Sequence, residues 1–189
     1  MRFKFGLTLV EILVGIAVFG LITVLIAAIY LSHYKIYSNQ NSQIDAASQS
    51  KVGIDEIVNQ IRQSASVANS CTPCGSDTTS SSVLILQLWP LDSNGDPKDP
   101  SSGNYDYIVY KKNPIDITQM IRKILPNASS TRKGGNQIIS SNISSLTFTY
   151  NNADPTQATK VTIVLTTSQA ALGKTQTSTQ TKVVDLRNK

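Results

Sequence analysis

The sequence predicts an α+β protein in which a long N-terminal helix packs on an antiparallel β-sheet. Nearly all of the first 31 residues are apolar, and between Ile44 and Ala68 apolar residues recur mostly at threes, fours and sevens, as on one helical face. Beyond residue 82 the apolar residues form short runs separated by turn residues, which is typical of strands. A helix followed by strands favours the α+β class.

The first part of the predicted helix is apolar enough to lie in a membrane. Residues 12–31 carry no charge, and as a helix these twenty residues would span about 30 Å, the thickness of a bilayer core. Arg2 and Lys4 precede them, so we expect the N-terminus in the cytoplasm and the chain after Tyr34 outside. No small-x-small cleavage site follows Leu31, so we expect the segment to stay attached.

The helix is expected to continue well beyond this segment. No proline interrupts residues 7–72, which predicts one helix of roughly sixty residues, apolar all round in its first half and amphipathic in its second. Gly53 is expected to weaken the second half, because glycine is a poor residue for a helix interior.

The remainder of the chain is predicted to form the sheet. We expect a buried strand at 82–89, a strand at 105–112, a hairpin of 145–150 with 160–167, and an edge strand near the C-terminal end. The apolar residues of 117–125 suit a strand or a short helix equally, and 134–145 is predicted to be a loop.

The first eleven residues resemble a known family. "MRFKFG" is a short basic stretch ending in Gly6, "LTLVE" places Glu11 fifth after it, and an uncharged helix follows. This arrangement resembles the N-terminus of the type IV pilin and pseudopilin family. The segments "LQLWPLDSNGDP" and "NYDYIVYKK" resemble, more loosely, the J-type minor pseudopilins of type II secretion systems and the related minor pilins. Leu7 stands where the family usually has phenylalanine.

The resemblance implies a membrane-anchored filament subunit. A prepilin peptidase would cleave after Gly6 and methylate the new amine of Leu7. The mature subunit would then leave the cytoplasmic membrane through an assembly platform membrane protein and join other pilins in a filament. The implied division is a leader at 1–6, a transmembrane and filament-core helix at 7–34, an amphipathic half at 35–68 and an extracytoplasmic β-rich domain at 69–189.

Glu11 has two readings in this setting. It is either an interfacial carboxylate near the lipid headgroups or one half of an assembly ion pair. After cleavage the α-amine of Leu7 would be largely positive at neutral pH, and it would pair with Glu11 of a neighbouring subunit or of its own chain. We favour the pair between subunits, because in low dielectric it would also fix the register of otherwise featureless helices.

Two further groups carry chemistry in principle. Cys71 and Cys74 cannot make a four-cysteine zinc site alone, and they follow a helix, which favours a structural disulfide over a redox site. Asp92, Asn94 and Asp96 resemble the start of a calcium loop. The glycine there stands fourth rather than sixth, which favours a plain turn, with calcium binding as the alternative.

The remaining sequence favours a structural role over catalysis. His33 is the single histidine, lies near predicted interfacial tyrosines, and belongs to no recognisable catalytic set. The net charge of +5 includes no long basic run, so we expect no nucleic-acid binding. The sequence shows no Gly-rich phosphate loop, and we expect no cofactor. Together with the absence of a catalytic set, the resemblance implies a minor pilin-like subunit that primes or caps a type II secretion pseudopilus or a type IV pilus. The alternative is an adhesive or DNA-uptake pilin that acts as a binding module.

Overall fold

The computed structural model describes residues 8–100 and 103–186, and it confirms the predicted α+β fold. One long helix, α1, spans Leu9–Gln63 and is followed by antiparallel strands. The strands are β1 Ser66–Val67, β2 Val83–Leu88, β3 Asp106–Lys112, β4 Met120–Leu125, β5 Gly135–Ser140, β6 Ile143–Tyr150, β7 Lys160–Ala171 and β8 Lys174–Asp185. This arrangement is consistent with the pilin-like architecture that the resemblance implies.

The strands form two antiparallel sheets. The first has the order β1-β2-β3-β4-β5, and the second has the order β6-β7-β8. In the first sheet Leu86 lies opposite Ile108 and Leu84 lies opposite Tyr110, so the apolar residues of β2 and β3 share a face. In the second sheet the predicted hairpin is confirmed, with Leu146 opposite Leu165.

The helix ends at Gln63, earlier than the predicted amphipathic half, which extended to residue 68. The backbone N–H groups of Ala65 and Ala68 donate to Gln87 and Ile85, at 2.8 and 2.9 Å. These bonds belong to the edge of the first sheet, where β1 pairs with β2. Sheet pairing has replaced the helical hydrogen bonds that the apolar spacing of this segment suggested.

Two segments differ from their predicted structure. The helical alternative for residues 117–125 is wrong, since β4 pairs with strands on both sides, and residues 134–145 form β5 and the start of β6 rather than a loop. Most residues of β5 are exposed, so this edge strand lacks the apolar alternation that marks half-buried strands. The strand β5 is defined by its hydrogen bonds to β4, and such bonds cannot be recognised from the sequence.

The chain divides into two units, residues 1–41 and residues 42–189. The second unit has a core to which the helix and both sheets contribute. Ile54, Ile57 and Ile61 of α1 are at most 1% exposed in this core. Their partners are Leu84, Leu86, Leu88, Ile108 and Tyr110 of the first sheet and Leu146, Phe148, Val161, Ile163 and Leu165 of the second.

Small residues let α1 approach the sheets closely. Ser42, Ala46, Ser50 and Gly53 are all buried on one side of the helix. A Cβ at Gly53 would come within 2.7 Å of Leu165 Cδ2 and within 3.1 Å of the Cβ of a serine in β5. Gly53, predicted from the sequence to be only a weakness in the helix, is therefore the residue that makes room for the second sheet.

Candidate functional site

The first unit presents an apolar surface. Its described part belongs to α1, and the large apolar residues from Leu9 to Tyr37 have exposed fractions between 49% and 77%. The helix is long and apolar enough to cross a membrane. The hydroxyl of Thr23 donates to the carbonyl of Phe19, at 2.8 Å, so this polar group is satisfied without water.

Thr8 and Glu11 form a capping box at the start of α1. The Thr8 N–H and hydroxyl both donate to Glu11 Oε2, each at 2.9 Å, and the Glu11 N–H donates to Thr8 Oγ1 at 3.3 Å. Two donors at the helix start are thus satisfied reciprocally. The "T-x-x-E" spacing of Thr8 and Glu11 is a sequence signature of this arrangement, and it was overlooked because Glu11 was considered alone.

The capping box leaves part of the carboxylate available. No described residue donates to Glu11 Oε1, whereas a carboxylate accepts about four hydrogen bonds. Gly6 and Leu7, at which cleavage and methylation are expected, lie outside the described residues. The structure therefore shows Glu11 as part of the helix cap, and its pairing with an α-amine stays a prediction.

Cys71 and Cys74 form a disulfide in the structure, with their Cα atoms 5.1 Å apart. Both residues are buried, and with Ala68 they cover Ile85 and Val109, on the face of the first sheet opposite the helix. The Lys111 ammonium binds both carboxylate oxygens of Asp77 in the following loop, at 2.6 and 2.7 Å. The two cysteines therefore belong to a small second core, which fits a structural disulfide.

Asp92, Asn94 and Asp96 lie in a turn that hydrogen-bonds to itself. Asp92 Oδ1 accepts the N–H groups of Asn94 and Asp96, at 2.8 and 3.0 Å. These bonds, that from Asp96 first, hold the pKa of Asp92 below its usual range. Asp92 Oδ1, one of the oxygens that the calcium alternative would use, thus closes the turn.

Asp106 is a buried charge that sequence reasoning missed. It is 0% exposed at the start of β3, and it accepts the Asn127 N–H, the Ser130 hydroxyl and Arg132 Nε at 2.7–2.8 Å. Ser130 Oγ in turn accepts the Leu91 N–H at 3.0 Å. Asp106 therefore ties together the loops after β2 and β4. Its only sequence signal was an aspartate within a strand pattern, where that residue is uncommon.

A groove lies beside these loops. It has a volume of about 550 Å³ and is lined by Gln63, Leu88, Trp89, Leu91, Pro97 and Arg132. The charge of Arg132 is already paired with Asp106, and its guanidinium also donates to the Trp89 carbonyl, at 3.2 Å. The described lining of the groove is mainly apolar and contains no histidine, cysteine or carboxylate side chain.

A second polar cluster joins α1 to the first sheet. Arg122 of β4 binds Glu56 of the helix and donates to Gln137 of β5. The Tyr110 hydroxyl lies 3.5 Å from the same Glu56 carboxylate, and burial raises the pKa of Tyr110 well above its ordinary value. The tyrosine stays protonated at neutral pH, and the cluster fixes the position of the helix on the sheet.

The residues singled out by the sequence do not converge on one centre. Glu11 lies in the first unit, and the disulfide and the Asp92 turn lie in the second. In residues 8–100 and 103–186, no three histidine, cysteine, aspartate or glutamate side chains are grouped to hold a metal ion. Neither a scan against models of protein families nor a search of curated proteins finds a match to this chain.

Proposed function

We propose that this protein is a type IV pilin-like subunit, of the minor pseudopilin kind, that assembles through its N-terminal helix. The observation that carries the proposal is the apolar half of α1, exposed along its whole described length and headed by the single carboxylate of Glu11. Such a surface is costly in water, and it needs lipid or other helices around it.

The apolar half of α1 would be surrounded by lipid before assembly and by other helices after it, which suggests how assembly would be driven. In the membrane the apolar side chains contact acyl chains, and in a filament they would contact the same helix of other subunits. Because both surroundings are apolar, transfer between them changes little hydrophobic free energy, and helix packing and polar pairs decide the outcome. Glu11 is the polar group available at the start of the described helix.

Processing would supply the partner of Glu11. Cleavage after Gly6 would create an α-amine at Leu7, one residue before the helix cap at Thr8. Thr8 donates to Glu11 Oε2, and Oε1, to which no described residue donates, would accept the amine of a neighbouring subunit. We continue to favour the pair between subunits over a pair within one chain, because in low dielectric it would also fix the register of the packed helices.

The β-rich unit would have a different task. Its core is shared by the helix and both sheets, so the unit is built to be rigid on the second half of α1. A rigid unit of this kind would present fixed surfaces to the neighbouring subunits of a tip complex. The proposal therefore assigns assembly to the helix and recognition to the sheets.

Cleavage provides the first test. The full chain is co-expressed with a prepilin peptidase, and its mass is measured; we expect the loss of residues 1–6 and the gain of one methyl group. Gly6→Val should block the cut, because the peptidase would lose an uncrowded backbone at the scissile bond. Gly20→Val is the control, since nothing lies within 4 Å of its added Cβ. Normal processing of Gly6→Val, or none of the wild type, would contradict the proposal.

A further inference from the structure

We propose that the outer edge of β8 binds the same strand of a second copy of this chain, antiparallel to itself. The inference uses only residues of the second unit, so it stands or fails independently of the proposed function. It starts from the length of this edge strand: β8 pairs with β7 over twelve residues, Lys174–Asp185, without a register shift. Strands in globular proteins are usually shorter.

The hairpin register shows which backbone groups of β8 face away from β7. In an antiparallel pair, hydrogen-bonded and non-hydrogen-bonded residue pairs alternate. The Leu186 N–H donates to the Thr159 carbonyl, at 2.9 Å, so the even-numbered residues of β8 bond to β7. On the other side of β7, the Asn151 N–H donates to the Lys160 carbonyl, at 3.3 Å, which agrees with this alternation. The N–H and C=O groups of the odd-numbered residues, 175 to 185, therefore point to the outer edge.

This outer edge is long and unprotected. Among the hydrogen bonds of residues 8–100 and 103–186, no backbone group outside the hairpin bonds to β8. The opposite edge of the same sheet, at β6, is blocked, because the Phe148 N–H donates to the Ser81 carbonyl at 2.8 Å. In the first sheet, β1 has only two residues, and the pairing of β5 contains a register shift. Proteins protect sheet edges with short strands, bulges, proline or charge, and residues 175–181 have neither proline nor charge.

The sequence of this edge suits a second copy of itself. Residues 174–182, "KTQTSTQTK", read the same in both directions, and every odd position from 175 to 181 is an exposed threonine. An antiparallel second copy would therefore place threonine opposite threonine. Cross-strand threonine pairs stabilise sheets. One such pair is already present within the chain, where the hydroxyls of Thr166 and Thr179 lie 3.0 Å apart.

The lysines of β8 determine the register of the pair. Centring it on Ser178 would put Lys174 opposite Lys182 of the other copy, and like charges directly opposite each other are destabilising. Centring it on Thr179 separates these lysines and still keeps threonine opposite threonine at every odd position from 177 to 181. The expected register therefore has Thr179 of one copy opposite Thr179 of the other.

In this register the pair uses the groups that the edge leaves free. Each odd residue from 175 to 183 would exchange two N–H···O bonds with the other copy. Val183, which is 62% exposed, would pack against Thr175 of the other copy. The second sheets of the two copies, three strands each, would join into one sheet of six strands about a two-fold axis. The occupant of the edge is therefore an extended strand of this same sequence.

Cysteine cross-linking of the full chain in detergent tests the pair directly. Facing residues of a hydrogen-bonded antiparallel pair have Cα atoms about 5.5 Å apart, a distance that a disulfide spans. We expect Thr179→Cys to form a disulfide-linked dimer on mild oxidation. Thr147→Cys is the matched control, because Thr147 is an exposed threonine on the same face of the sheet but in β6, and it should remain monomeric. The two native cysteines are already bonded to each other.

Three further variants test the backbone bonds without oxidation. Sedimentation of the wild-type chain in density-matched detergent should show a dimer that dissociates on dilution. Thr179→Pro removes an N–H that points outward, so we expect loss of the dimer while the hairpin keeps its bonds. Thr179→Lys should also abolish the dimer, since it places like charges opposite each other only in paired copies. Thr179→Val keeps the N–H and should keep the dimer, and melting temperatures of all three report whether folding is intact.

The opposing outcomes are equally definite. A wild-type chain that is monomeric at every concentration, or a dimer that both Thr179→Pro and Thr179→Lys retain, would overturn the inference. Equal cross-linking of Thr147→Cys and Thr179→Cys would do so as well, because it indicates random collision. In native membranes, a link from Thr179→Cys to a protein of different mass, and none to a second copy, would assign the edge to another strand. None of these outcomes touches the proposed function, which cleavage and methylation test separately.

Discussion

At the scale of single residues, Gly53 shows how packing reverses a judgement made from propensity. An alanine there would regain up to about 1 kcal/mol of helix propensity. Its Cβ would meet Leu165 and Met120 side chains at 2.7 and 3.2 Å and Ser140 Cβ at 3.1 Å. Overpacking of this kind typically costs about 1–3 kcal/mol. The close approach of the sheets therefore outweighs the propensity of the helix.

The first residue-scale prediction follows from this balance. We expect Gly53→Ala to lower the free energy of unfolding by about 1 kcal/mol and Gly53→Leu to lower it by several. Chemical denaturation of the full chain in detergent would measure both. Lys51→Ala, at an exposed position two residues away, is the matched control and should change stability by less than about 0.5 kcal/mol. A stabilised Gly53→Leu variant would show that the helix lies farther from the sheet.

The second residue-scale prediction concerns Asp106. We expect Asp106→Ala to cost about 3 kcal/mol, because it leaves Arg132 without its carboxylate in a largely buried site. The same denaturation measurement applies. Asp185→Ala is the control: its ion pair with Lys160 is exposed and should be worth less than about 1 kcal/mol. Equal losses in the two variants would mean that burial of Asp106 carries no special weight.

At the scale of elements, the disulfide loop acts as a cover for the first sheet. Cys71 and Cys74 pack with Ile85 and Val109, on the sheet face away from α1. The two ends of this loop are joined by the Thr79 hydroxyl, which donates to the Ala68 carbonyl at 2.5 Å. Residues 82–89 form a nearly continuous apolar run because β2 is buried on both faces.

Removing the disulfide should therefore loosen one element and leave the others. For so short a loop we expect Cys71→Ala with Cys74→Ala to cost about 2 kcal/mol. Hydrogen exchange should accelerate at the Ala68 and Thr79 amides, which bond to Ile85 and Asn69. The amides between β7 and β8 are the internal control and should keep their protection. Uniform acceleration across both sheets would show that the loop is part of the global core.

The sequence was informative wherever an element has a strong apolar pattern. The helix, β2, β3 and the hairpin of β6 with β7 were predicted because their apolar residues form continuous runs or recur at regular spacing. The strand β5 was missed because its residues are mostly polar and exposed, and only its bonds to β4 define it. The setting of Asp106 was also beyond prediction, since its partners at 127–132 come from a loop whose position the sheet determines.

At the scale of the whole molecule, the two units divide the physical work. In the described part of residues 42–189 the helix and both sheets share a buried core, whereas the described large apolar side chains before residue 42 remain exposed. Only half of the candidate site at Thr8–Glu11 was predicted. Glu11 was noticed as a charge beside an apolar helix, whereas Thr8 was overlooked although the "T-x-x-E" spacing is typical of a capping box.

The last prediction separates the two roles of Glu11, capping and pairing. Glu11→Gln keeps an oxygen that can accept the Thr8 N–H, so the capping box survives while the charge is lost. Thr8→Val does the opposite, because it removes the hydroxyl that the carboxylate binds and leaves the charge in place. If the amine of a neighbouring subunit pairs with Glu11, we expect Glu11→Gln to be cleaved and inserted normally but to enter filaments poorly.

Filament incorporation beside wild-type subunits is the measurement, with the processed membrane pool as the reference for each variant. Thr8→Val should incorporate at nearly the wild-type level, because the ion pair is retained and a lost cap costs only about 1 kcal/mol. Glu11→Ala, which loses both functions, should be no better than Glu11→Gln. Incorporation of Glu11→Gln at the wild-type level, with a defect in Thr8→Val, would mean that Glu11 serves the helix start alone, since its charge would then have no part in joining subunits.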